Sequence, residues 1–355
     1  MTIYWLLLAF PALMALTYPV HTPRFGYGPA QALAMLTFLL LYALLGALRF
    51  ETGGDWLTYD EMFEDMRTES LIYALTETDP LYGFLNWFSA QLGTGIYLVN
   101  FVCCWVLGYG TVRVAMRFRE PWLAITIAVP YLLIVVGLGY VRQGAAIGCV
   151  LIAIASLDQS RPLRTLVYLA LAVGFHSTAV MTLPMFGYAL TRRYQVFAVL
   201  FGVLGALAYV FVLAPRLALF EVGYLDAEYD SQGALVRVLM SLVPSLFLLL
   251  RWRSFQASKR VRSTWFLIAL ANVVALVALA LSPSSTAVDR IALFFSIIQL
   301  VAFGEVRDLT RMPERGVMLL RLVMIAVAIA VQTVWLVYGA HAQFWVPYKS
   351  VLQTL

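Results

Sequence analysis

Charge is scarce in this chain. Asp, Glu, Lys and Arg make up 12% of its 355 residues, about half the share of a soluble domain. Cysteine is scarcer still. Cys103, Cys104 and Cys149 all fall in apolar runs, are odd in number and lack metal-ligand spacing. They form no disulfide framework and read as apolar filler. No Walker loop, dinucleotide fingerprint, His-Glu-x-x-His or Gly-x-Ser-x-Gly occurs. There is no internal repeat, Ser/Gly linker or low-complexity tail, so a single integral membrane domain over 1–355 is expected. The first twenty residues lack a basic n-region and a small-x-small cleavage site, and are read as a retained helix.

What fills the chain is hydrophobic residue, 62% of the total, in recurring runs long enough to cross a bilayer. Spans are expected near 3–20, 29–48, 94–112, 121–138, 140–158, 194–214, 237–250, 263–282, 289–304 and 316–338. The fold class is therefore all-α, a polytopic helical bundle of about ten spans plus a re-entrant hairpin. Five basic clusters separate the runs: Arg113/Arg117/Arg119, Arg161/Arg164, Arg192/Arg193, Arg251 to Arg262, and Arg307/Arg311/Arg315. The acids gather instead in Glu51–Asp79 and Glu221–Asp230. The positive-inside rule places the basic clusters and Arg24 on the cytoplasmic side and both termini outside. The same bias accounts for the net charge of +5 without any nucleic acid.

Segment 163–190 has basic pairs at both ends but is too short for two full crossings. A re-entrant hairpin broken near Gly174-Phe175-His176 satisfies both facts, because non-helical backbone at that depth must line a wet cavity or be buried in protein. One long helix is the alternative, and it would reverse every later loop. The outer loops 49–93 and 215–236 are expected to be partly interfacial. In the first, Trp56, Tyr59, Phe63 and Met66 recur every three to four residues among Asp60, Glu61, Glu64 and Asp65, the pattern of a helix lying on the membrane surface. The acidic face is read as solvated rather than as a cation site.

This topology puts several polar residues at the outer ends of apolar helices. Arg142, followed by Gln143, is either a snorkelling side chain or an anion clamp, since guanidinium forms paired bonds to phosphate oxygens. Arg290 is either such a clamp or the partner of Asp289 or of an acid of the outer loops, and Arg237 either joins them or merely starts its span. Several cations on one face suggest a phosphate-bearing ligand. His176 is either a hydrogen-bonded core residue or a proton acceptor at the hairpin break. Arg49 and the turn Gly53-Gly54-Asp55 begin the first outer loop, with Asp55 either aimed by the glycines or simply solvated.

These residues fall in motifs that resemble the EpsG family of Wzy-like exopolysaccharide and O-antigen polymerases. The motifs are Arg49-x3-Gly53-Gly54-Asp55-x3-Tyr59-x3-Phe63, Val141-Arg142-Gln143-Gly144-Ala145, Phe175-His176-Ser177-Thr178-Ala179, and a late Arg290. The loop holding Asp226 and Tyr229 gives no dependable match. The resemblance implies a glycosyltransferase in the bacterial inner membrane, working at its outer face with no metal and no cofactor; a GT-C-like architecture is compatible with it. Its substrates would be oligosaccharide repeats on undecaprenyl pyrophosphate, its surroundings membrane lipid, and its partners a chain-length regulator and a flippase. On this reading His176, Asp55 and Arg142 are catalytic, and Arg49, Arg142, Arg237, Arg290, Gln143 and Tyr59 bind substrate. A single-sugar transferase using a polyprenyl-phosphate donor, or a transporter of lipid-linked glycans, would use similar residues.

Overall fold

The computed structural model describes residues 1–19, 28–191, 233–282 and 285–353. Arg24, Arg192, Arg193, Arg216, Asp226, Tyr229, the span 194–214 and most of the loop 215–236 lie outside them. The described residues form a polytopic bundle of helices with no strand, as the composition requires. Among the described residues, seven helices are long and apolar enough to cross a membrane: α2 (Pro29–Ala47), α6 (Gly95–Ala115), α7 (Pro121–Gly139), α8 (Val141–Asp158), α12 (Lys259–Leu281), α13 (Ser285–Gly304) and α14 (Glu314–Tyr338). Three shorter apolar helices accompany them: α1 (Thr2–Thr17), α9 (Pro162–Phe175) and α11 (Ala234–Leu250). Proline sets several starts. Pro29, Pro121 and Pro162 each occupy the first turn of their helix, where the missing N–H costs nothing.

Helix α7 is the hub, buried along its full length. Its second half, Val129–Gly139, winds with π geometry. Pro130 sits at the second residue of that stretch, and a proline there has no N–H to offer the preceding turn and crowds its carbonyl. Beside α7, helices α6 and α8 approach closely because Gly110 and Gly148 face each other's helix. A Cβ on Gly148 would stand 2.5 Å from the Val106 carbonyl oxygen. Small residues at such crossings let backbones meet where lipid supplies no hydrophobic drive.

Loop 49–93 folds into three helices, α3 (Trp56–Thr68), α4 (Leu71–Glu77) and α5 (Pro80–Gln91). Trp56, Tyr59, Phe63 and Met66 are all buried along one face of α3, so the expected amphipathic helix is present, but its apolar face packs into the protein core rather than lying on the membrane surface. The chain end then straps this region. Residues 339–353 leave α14 and pair with the loop: Phe50 N–H donates to the Lys349 carbonyl (3.0 Å), Gly53 N–H to the Phe344 carbonyl (2.8 Å), and Val351 N–H to the Leu48 carbonyl (3.0 Å). The Tyr4 hydroxyl of α1 donates to the Trp345 carbonyl of the strap, and the strap's Tyr348 hydroxyl donates to the Leu45 carbonyl of α2.

Segment 163–190 breaks at His176. α9 ends there in extended backbone (φ −155°, ψ 119°), a 3-10 turn follows over Ser177–Thr182, and α10 (Leu183–Thr191) packs on α12. The opposite, basic end of the bundle is closed by charge. Buried Glu120 accepts from Arg321 Nε at 2.9 Å, with Arg307 4.0 Å away, and Arg321 also donates to the Tyr18 carbonyl at 2.7 Å. A cavity of about 210 Å³ beside Arg117, Asp158 and Trp265 lies at this end.

Candidate functional site

The start of α8 gathers the polar residues of the other end. The π-wound half of α7 stops at Tyr140, whose backbone (φ −107°, ψ 62°) departs from the helix before α8 begins. π-Helical stretches recur at functional sites because they rotate side chains out of regular register. Tyr140, Arg142 and Gln143 then point to three different neighbours.

Arg142 reaches the loop 49–93. Its Nη1 donates to Thr78 Oγ1 (2.8 Å) and to Asp79 Oδ2 (3.2 Å), and its guanidinium lies 5.8 Å from the Tyr59 ring centre and 5.6 Å from that of Tyr82. Asp79 is 1% exposed, and its other oxygen accepts from Ser177 N–H at 2.9 Å. One carboxylate thus ties α5, α8 and the 3-10 turn together. Sequence reading passed over it, because Asp before Pro80 looks like an ordinary helix N-cap.

Gln143 is buried and donates to the backbone carbonyl of Arg290, fixing α13 against α8. The Arg290 guanidinium lies 5.9 Å from the Tyr140 ring centre, a cation–π contact, and no described carboxylate lies within ion-pair distance. The expected alternative, a pair with Asp289, is not what the structure contains. Asp289 is taken by Arg237, whose Nε and Nη2 grip both carboxylate oxygens at 2.7–3.1 Å. Arg237 therefore anchors α11 to α13, and more than caps its own span.

Arg49 is 1% exposed. It donates to the Thr52 carbonyl (2.7 Å) and to Asn100 Oδ1 (3.2 Å), and stacks 5.0 Å from the Trp56 ring centre. It braces the turn from inside. Gly53 above it has φ +102°, open to glycine at low cost, and a Cβ there would meet Arg49 Nη1 at 3.0 Å. The turn delivers Asp55, half-buried at the start of α3 and making no side-chain cap bond. Burial pushes its carboxyl above the ordinary value of 3.8, against the opposing pull of Arg290, Arg142, Arg49 and His341. The three arginines act on Asp55 through space rather than by ion pairs, and the strap adds His341, unforeseen in the sequence.

His176 is nearly buried, with its ring edge-on to Phe294 (6.2 Å between centres). Nδ1 accepts from Thr178 N–H at 3.3 Å and lies 2.9 Å from Thr178 Oγ1, so it caps the 3-10 turn. A neutral ring accepting at Nδ1 carries its proton on Nε2, the form that donates rather than accepts. Through Ser177 and Asp79 the turn is nonetheless linked to Arg142. Among the described residues no group of three or more His, Cys, Asp or Glu side chains gathers as metal ligands would.

Four arginines and three aspartates thus gather at one end of a membrane bundle. These features define a polytopic membrane protein with an arginine cluster at one end of its bundle. The model of the EpsG family matches residues 32–350, nearly the whole chain, and the protein belongs to that family. EpsG is a family of Wzy-like polymerases, so the chain has a Wzy-like exopolysaccharide polymerase role in general terms. No curated protein and no solved structure matches it.

Proposed function

We propose that this protein joins lipid-linked oligosaccharide repeats at the outer face of the bacterial inner membrane. The donor is a growing glycan on undecaprenyl pyrophosphate, and the acceptor is the free sugar end of a second carrier-linked repeat. The observation that carries this reading is Arg290. It is a cation with no described carboxylate partner, held by Gln143 and Tyr140 beside Asp55, at the end where the acid-rich loop gathers.

The acceptor hydroxyl attacks the anomeric carbon of the donor, forming the new C–O glycosidic bond. The bond from that carbon to pyrophosphate oxygen breaks, and its electron pair leaves with the carrier pyrophosphate. Arg290 stabilises that developing charge, supplemented by Arg142 Nη2, since Nη1 is engaged by Thr78 and Asp79. The hydroxyl proton passes to Asp55. Its raised pKa makes it a stronger base than a solvated carboxylate. His176 holds the 3-10 turn and, through Ser177 and Asp79, the direction of Arg142. Arg49 and Tyr59 shape the loop and the floor beneath Arg142, and Arg237 fixes α13 by way of Asp289. No metal is assigned to the reaction, and a flippase and a chain-length regulator are expected as partners.

The test is deletion of the gene in its bacterial host, followed by mass spectrometry of the lipid-linked glycans. Complete single repeats accumulating on the carrier, with the polymer ladder lost, are expected. A repeat short by one sugar would replace this reading with single-sugar transfer, and complete repeats trapped on the cytoplasmic leaflet would replace it with transport.

A further inference from the structure

The end of the bundle opposite Arg49, Arg142 and Arg290 carries a second arginine group, where α6 and α8 stop and α9 starts. Arg113 lies on the last turn of α6, Arg117 just past it, and Arg164 in the first turn of α9. Arg113 stands 5.9 Å from the Tyr109 ring centre and Arg164 5.6 Å from that of Tyr168, and Tyr109 also interacts with Arg164. Gln159, its amide turned to accept, takes Arg113 Nη2 at 2.9 Å and Arg117 Nη2 as well. Arg117 Nη1 is paired with Asp158 at 3.1 Å. Among the described residues neither Arg113 nor Arg164 has a carboxylate within ion-pair distance.

Helix α6 continues this group into the hydrocarbon. Phe101, Trp105, Tyr109 and Arg113 recur every four residues and are all half-buried, a stripe that faces out of the bundle. Phe101 and Trp105 stack, with 6.0 Å between ring centres. From Tyr109 to Phe101 the stripe covers about 12 Å by helical rise, within the roughly 15 Å depth of one leaflet's hydrocarbon. On α9, Leu163 and Val167 are exposed beside Arg164 and Tyr168. A charge bias between loops explains why arginines lie at this end. It does not explain why two of them, from separate helices and without carboxylates, stack on tyrosines at the head of an apolar stripe. Tyrosine at the interface and a basic pocket between helices are the features that recognise a lipid headgroup.

We infer that α6 and α9 together hold one anionic phospholipid, its phosphate between Arg113 and Arg164 and one acyl chain along Tyr109, Trp105 and Phe101. Guanidinium binds phosphate oxygens through paired, charge-assisted bonds. Arg164 adds a cation to the positive end of α9, whose first turn has no acid, and a phosphate there offsets both charges. By bridging α6 to α9 the lipid braces the helix that ends in the His176 turn. Its binding goes beyond the polymerase reading and is measured without turnover.

The full chain, purified in detergent, is titrated with dioleoyl phosphatidylglycerol or dioleoyl phosphatidylcholine and read by native mass spectrometry. The chain should retain one phosphatidylglycerol about tenfold more strongly than phosphatidylcholine. Arg113→Gln and Arg164→Gln should each cut that retention about tenfold and leave phosphatidylcholine unchanged. Arg253→Gln removes the same charge from an exposed position in another loop at this end, and should change neither. Trp105→Ala should weaken phosphatidylglycerol binding, and millimolar inorganic phosphate should not displace the lipid. Equal retention of the two lipids by the parent would overturn the inference, and that comparison needs no variant to fold. An equal loss in Arg253→Gln would overturn it too, reducing the effect to the general positive charge of this end. Displacement by inorganic phosphate would make the group a site for a free anion, and binding indifferent to Trp105→Ala would remove the acyl chain from α6.

Discussion

Arg290→Gln and Arg142→Ala remove similar charges from the same site, yet the structure predicts different outcomes. Arg290 touches only the Tyr140 face and, through its carbonyl, Gln143. Losing the guanidinium forfeits one cation–π contact, about 1 kcal/mol, and breaks no ion pair, although it removes the largest of the positive charges that act on Asp55. Arg142 is the partner of Asp79, which is 1% exposed. Its removal strands a buried charge, a loss of about 3–5 kcal/mol. Thermal unfolding of the purified protein in detergent should therefore leave Arg290→Gln close to the parent and lower Arg142→Ala clearly. Turnover should fall about 10²–10³-fold in Arg290→Gln, the scale for losing one preorganised donor to a developing anion. The double variant Arg142→Gln/Asp79→Asn removes both charges; it should regain stability but not activity. An Arg290→Gln protein with parental turnover would refute the assignment of Arg290 to the leaving pyrophosphate. Equal destabilisation by the two arginine variants would refute the charge pairing behind it.

Further outcomes follow from the same geometry. If Asp55 accepts the proton, activity falls on acidification with a midpoint above the ordinary carboxylate range, and Asp55→Asn loses most turnover; a pH–rate profile on isolated lipid-linked repeats reads this. The sign for stability is opposite. A raised native pKa means the folded state binds more protons than the unfolded one between the two pKa values, so stability declines as pH rises through that window, and Asp55→Asn should flatten the decline. Arg321→Ala, at the basic end, strands buried Glu120 and should cost about 3–5 kcal/mol of stability, with turnover per folded molecule unchanged. Gly53→Ala forces a positive φ on a residue with a Cβ, costing about 1–2 kcal/mol, and presses on Arg49; lowered turnover with α-helical circular dichroism intact is expected.

Much of this arrangement was legible because lipid punishes polar residues. Arg142 and Arg290 stand out in the sequence for ending apolar runs, and the three-to-four spacing of Trp56, Tyr59, Phe63 and Met66 marks the buried face of α3. The partners were not legible. Asp79 sits in a run of loop acids and before a proline, and only the packing of α9 along α8 brings Ser177 to it. The pairing of Asp289 with Arg237 rather than its neighbour Arg290 depends on which way α13 turns, a matter of helix rotation that adjacency in sequence does not reveal. The strap is the extreme case: Phe344 and Lys349 meet Gly53 and Phe50 across almost the whole chain, and no local pattern announces such contacts. The π-wound half of α7 was equally hidden, since an apolar run has the same composition whatever its winding.

The most direct test of the central claim is reconstitution. The purified protein in proteoliposomes, supplied only with undecaprenyl-pyrophosphate-linked repeats from the deletion strain, should produce a ladder of longer lipid-linked glycans and release carrier pyrophosphate one for one with each bond formed. Arg290→Gln protein of equal stability should produce neither. A parent protein that binds these repeats yet yields no ladder and no free carrier would contradict the account.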